Sequence, residues 1–173
     1  EGDLLRTDAL GFSGLAAALE TEGYRLRSLV DATLGELPED IAAVVVIAPR
    51  RRLLPGALDA LRRYLLRGGR LVAFLEPGVE SGLEDLLAEF GMRSPEAVVV
   101  DPAAADLGSE GRSLSPLVYN YETHAATQGL DRTRMTVFHG SRAFELTKPS
   151  GEDDVRRTVL SSPHAWLSPD VGL

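Results

Sequence analysis

Few side chains in this sequence are equipped to start a reaction. The 173 residues include no cysteine, which removes thiolate nucleophiles, thiolate zinc sites and disulfides together. A serine nucleophile on a strand-to-helix elbow needs Gly-x-Ser-x-Gly, and no such run occurs. The turn expected after the second buried strand reads Leu75-Glu76-Pro77-Gly78-Val79, where only Glu76 carries an ionisable group. Neither a Walker A loop nor Gly-x-Gly-x-x-Gly follows any strand, so the chain has no phosphate cradle and no cofactor is expected. These absences point away from an enzyme.

The remaining polar side chains suggest binding rather than catalysis. Glu122 and His124 are two apart and so share one face of a strand, but no third ligand joins them at fixed spacing. No metal is expected, and His124 reads first as a structural hydrogen-bonder. Arg50-Arg51-Arg52 follows an apolar run and offers an anion a place at a strand end; the plainer reading is a solvated turn in an arginine-biased chain. Tyr119, Tyr121 and Trp166 suit either a sugar-stacking platform or ordinary rim packing. Ligands of open parallel sheets settle beyond the carboxyl ends of the strands. The side chains expected there are Arg50, Glu76 and Asp101, with His124 as a fourth cleft candidate.

Composition sets the outer bounds. A chain of this length buries roughly 70% of its unfolded surface as one domain, so residues 1–173 are expected to form a single α/β unit without metal or disulfide staples. The formal net charge of −8 argues against nucleic acid, which requires a basic face. The longest fully apolar run, residues 41–48, is far shorter than the roughly 18 residues of a spanning helix. The first residue is glutamate rather than methionine, and the chain is expected to be a domain excised from a longer, membrane-anchored protein.

The elements that must position these groups alternate. Ser13 is placed to cap a helix carrying Phe12, Leu15, Ala16 and Leu19 on one face and ending at Gly23, with an alternating strand over residues 24–29. Residues 44–47 form an apolar strand without alternation, as expected when helices cover both faces. A helix over 55–67 presents Leu58, Leu61 and Leu65 and stops at Gly68-Gly69, before a second buried strand at 71–75. A third helix spans 81–90 up to Gly91, and a short strand follows at 97–100. Strands separated by helices of about ten residues predict a three-layer, doubly wound, mostly parallel sheet. Residues 101–115 read as a long surface loop. Short strands at 117–119, 135–138 and 155–160, with a turn at 148–152, are expected to extend the same sheet.

Read in order, Gly23-Tyr24, Leu37-Pro38-Glu39-Asp40 before residues 44–49, Tyr64-Leu65-Leu66-Arg67-Gly68-Gly69 before 71–77, and Leu86-Leu87 through Phe90-Gly91-Met92 resemble the extracytoplasmic domain of GldG-type auxiliary components of ABC transporters. Tyr121 with His124-Ala125-Ala126-Thr127-Gln128-Gly129-Leu130 resembles that family's His-x-Ile-Thr-x-Gly-Leu region, and Ser161-Ser162-Pro163-His164-Ala165-Trp166 its closing Ser-Trp segment. Ala125, Ala126 and Ala165 depart from the family's residues. The resemblance implies a class I glutamine amidotransferase-like (flavodoxin-like) fold, shared with a domain of an intraflagellar transport protein. It also implies a non-catalytic module outside the membrane, tethered by flanking segments and working with permease and ATPase subunits in export or gliding motility. A saccharide-binding or degenerate hydrolase-like module using the strand-end cleft is the alternative.

Overall fold

The computed structural model describes residues 11–29, 35–103, 114–130, 133–147 and 155–169. Most of the loop expected at 101–115 and the turn expected at 148–152 lie outside them. The chain divides into two compact units: Glu1–Leu75 with Ser81–Leu83, and Glu76–Glu80 with Glu84–Leu173.

In the first unit, α1 (Ser13–Thr21) starts one residue earlier than a Ser13 cap allows. Phe12 is the N-cap, and its carbonyl accepts the Ala16 N–H at 2.9 Å, so Ser13 is already helical. The helix ends as expected. Gly23 takes φ +87°, and the N–H groups of Gly23 and Tyr24 return to the Glu20 and Leu19 carbonyls, closing the helix end with a left-handed residue that has no Cβ to clash. The strand expected at 24–29 does not form; apart from half-buried Leu29 those residues are exposed, so their alternation covers no core.

The centre of this unit is a strand, helix, strand succession. β1 (Val44–Ile47) and β2 (Leu71–Phe74) pair in parallel, Val44 opposite Leu71 and Ile47 opposite Phe74, and α2 (Pro55–Leu66) connects them. Pro55 opens α2 at a position where its missing N–H would be unpaired in any case. The buried stripe is Ala57, Ala60, Leu61 and Tyr64, with spacings of three and four residues. Of the three leucines expected to face inward, Leu61 is buried and Leu58 and Leu65 are half-buried. Leu37 and Val44 complete the apolar packing of this part of the chain; each large side chain fully withdrawn from water contributes about 1.5–3 kcal/mol. The sheet is not covered on both faces as expected: Val45, Val72 and Phe74 are exposed. At the end of β1, Ala48 takes φ +44° while its N–H bonds the Phe74 carbonyl at 2.9 Å.

The Gly68-Gly69 pair does two separate jobs. Gly68 adopts φ +86° and its N–H meets the Leu65 carbonyl, while the Gly69 N–H meets that of Tyr64, again the paired bonds of a helix end. Gly69 instead answers to space, because a Cβ there would overlap the ring of buried Tyr64. Gly69→Ala is therefore expected to lose about 1–3 kcal/mol by overpacking, read as a lower urea midpoint; an unchanged midpoint would show that the ring yields freely.

The second unit corrects the predicted sheet. After α3 (Leu83–Glu89) come β3 (Met92–Arg93), β4 (Val98–Val100), β5 (Leu117–Val118), β6 (Asn120–Tyr121), β7 (Thr136–Val137), β8 (Glu145–Leu146), β9 (Val159–Leu160) and β10 (Trp166–Ser168). They pair as β4 with β10, β3 with β8, β5 with β7 and β6 with β9, all antiparallel. The three-layer, doubly wound, mostly parallel arrangement does not hold; among the described residues one parallel pair stands against four antiparallel ones. The physical reason is the absence of crossover helices: parallel neighbours need a connection of a dozen or more residues, usually helical, and no α-helix follows α3 among the described residues. The core here is Leu86 and Leu87 of α3 with Ala97, Val98, Val99, Leu117 and Val118.

Candidate functional site

The four cleft candidates occupy different settings. Arg50 is exposed and belongs to the first unit, just beyond Ala48-Pro49. The other three belong to the second unit. Glu76 is exposed at the start of the 76–80 segment, which is held by Arg142, a residue with no local signal in the chain. Nη1 of Arg142 donates to Oε1 of Glu84 at 2.6 Å and to the Val79 carbonyl at 3.2 Å. Its side chain is only 3% exposed, and its Nε has no partner among the described residues. The segment that reads Glu76-Pro77-Gly78 is thus pinned at Val79 by the guanidinium of a buried ion pair, and it carries neither cysteine nor serine.

Asp101 is not a cleft residue. It is 0% exposed at the end of β4. Its Oδ1 accepts the Ser162 hydroxyl at 2.7 Å and the Ala103 N–H at 3.1 Å, and its Oδ2 accepts the Ser162 N–H at 3.4 Å. The Ser162 hydroxyl in turn accepts the His164 N–H at 3.3 Å. A carboxylate holding three donors ties the end of β4 to the turn between β9 and β10, and the Ser162 hydroxyl both donates and accepts within it. Beside it lies a cavity of about 290 Å³ lined by Leu117, Tyr119, Asn120 and residues 160–163. Of the three aromatics considered for stacking, only Tyr119 lines that cavity. The Tyr121 hydroxyl donates to the Val118 carbonyl at 2.9 Å and lies 2.6 Å from Oγ1 of Thr136, and Trp166 sits in β10.

His124 has the structural role its sequence suggested. It caps the 3-10 turn Ala125–Thr127: its Nδ1 accepts the Ala126 N–H at 3.1 Å, while Oγ1 of Thr127 accepts the His124 N–H at 3.2 Å. This is the reciprocal logic of a capping box, built from histidine and threonine. Thr127 is buried, and its hydroxyl lies 2.6 Å from the Glu122 carbonyl, which it meets as a donor. The Glu122 N–H reaches back to the Thr158 carbonyl at 3.0 Å, anchoring the turn beside the β6–β9 pair. Around this turn opens a groove of about 670 Å³, bounded by residues 121–125, 127–130 and Arg156. Glu122 and His124 do share this groove. No cluster of three or more His, Asp or Glu side chains able to hold a metal is found among the described residues.

The chemistry available is therefore hydrogen bonding at an open groove of mixed polar and apolar lining. The residues missed at the sequence level, Arg142, Glu84 and Ser162, act through partners some 60 positions away; the threonine three places after His124 was the one local signal of the cap. Backbone comparison with solved structures finds the mmIFT52 N-terminal domain, at a TM-score of 0.65 and 15% sequence identity, over 88% of this chain and 66% of that one. At that identity the likeness is one of fold alone, and the chain spans slightly less than two thirds of that structure. No curated protein matches the sequence. Residues 11–172, nearly the whole chain, match the sequence family described as ABC-type uncharacterized transport system, and the chain belongs to this family of ABC transport auxiliary components.

Proposed function

We propose that this chain is the non-catalytic, extracytoplasmic domain of a GldG-like auxiliary protein, and that it works by holding partner subunits, the permease and ATPase of its transport system. The family match over residues 11–172 carries this reading. The bonding of two of the four candidate side chains supports it: Asp101 is buried and committed to structural hydrogen bonds, and His124 caps a turn. A saccharide, the second occupant considered, would meet one of the three aromatics in the 290 Å³ cavity, so subunit binding is the better-supported role.

The absence of cysteine makes the location directly measurable. Glu145 is exposed, and Glu145→Cys in the full-length protein is expected to react with a membrane-impermeant maleimide in intact spheroplasts, with the label mapped to residue 145 by mass. Labelling only after lysis would refute the extracytoplasmic placement. Pull-down of the same full-length protein in mild detergent is expected to bring down the permease and ATPase, and their absence would refute the partner role.

A further inference from the structure

The groove beside the 3-10 turn has a charge pattern that selects a ligand class. Because Nδ1 of His124 is spent as an acceptor of the Ala126 N–H, the ring proton sits on Nε2. His124 is exposed, so this N–H is offered outward. The exposed side chain of Gln128 bounds the same groove and adds a further donor, while Arg156 on its rim already has a partner of its own. Exposed Glu122 is the acid of the groove. The volume, about 670 Å³, lies within the usual 300–1,000 Å³ range of ligand sites. The bonds of Thr127 to Glu122, of Leu130 to Thr127 and of Tyr121 to Val118 fix its wall before any ligand arrives, which lowers the ordering cost of binding.

We infer that this groove binds a carboxylate on a ligand that also carries a positive charge. The carboxylate accepts from Nε2–H of His124, with Gln128 as the neighbouring donor. The cation faces Glu122. A plain polyanion is disfavoured both by Glu122 and by the chain's net charge of −8, whereas a zwitterion satisfies both signs. The inference does not depend on the transport reading. Two sources supply this chemistry, a free amino-acid-like molecule and the end of a peptide.

The test is a chemical-shift titration of the ¹⁵N-labelled 173-residue chain with alanine, with trialanine bearing a free carboxyl terminus and with trialanine amide. Saturable shifts at residues 122–130 with alanine identify a small zwitterion as sufficient, and saturation by trialanine alone identifies a peptide terminus; either result supports the site. Trialanine amide is expected to bind at least tenfold more weakly than the acid. Equal binding of acid and amide, or no saturable shift with any of the three, overturns the inference. His124→Asn separates binding from folding, because asparagine keeps a side-chain acceptor at the N-cap while its shorter amide draws the donor back from the place of Nε2–H. It is expected to weaken binding at least fivefold with an unchanged unfolding midpoint. Unchanged binding in this variant also overturns the site.

Discussion

Arg142→Met is expected to cost about 3–5 kcal/mol, because removing one member of a buried ion pair leaves the other charge without its compensation. The guanidinium is 3% exposed and Glu84 16%, their closest atoms stand 2.6 Å apart, and the same Nη1 holds the Val79 carbonyl. Methionine preserves much of the aliphatic volume and removes only the charge and donors. The double variant Arg142→Met/Glu84→Leu is expected to be clearly more stable than Arg142→Met alone, since replacing both members by apolar groups removes the desolvation penalty along with the attraction. Urea unfolding followed by far-ultraviolet circular dichroism measures both. A loss below about 1 kcal/mol in the single variant, the range of an exposed pair, would mean that the pair is solvated.

The second large effect concerns Asp101. Asp101→Ala strands the Ser162 hydroxyl and N–H in a buried setting and the Ala103 N–H in a half-buried one, and each buried donor left unmet costs about 1–3 kcal/mol. With partial relaxation the total is expected at about 2–4 kcal/mol. Asp101→Asn should cost less, because its amide oxygen can still accept from Ser162 Oγ and Ala103 N. Equal midpoints for wild type and Asp101→Ala would return this carboxylate to the solvent-facing role expected of a cleft residue.

What was legible in the sequence is what is decided locally. Gly23 and Gly68-Gly69 terminate their helices where expected because a left-handed residue and its two returning N–H bonds involve only six neighbouring positions. The succession of β1, α2 and β2 was legible for the same reason: the helical spacing and the apolar runs are both short-range patterns. Strand pairing was not. Val98–Val100 is apolar in any sheet, and nothing within those three residues says that the partner is Trp166–Ser168 running the other way.

The candidate site divides along the same line. The structural role of His124 could be anticipated because its partners are two and three residues away. The role of Asp101 could not, since its position after an apolar strand suggests a ligand-facing carboxylate until Ser162, 61 residues later, is seen to fill it. Arg142 left no trace in the sequence, lying in a stretch without periodicity and meeting Glu84 across 58 residues.

Trp166 gives the second unit a built-in optical reporter. It is the only tryptophan, 52% exposed, and its strand runs beside β4, whose end carries Asp101. Its native emission therefore begins partly hydrated, so unfolding is read better from anisotropy than from a red shift. A protein that settles over β10 would move the emission to the blue, letting docking on that strand be followed without any added dye.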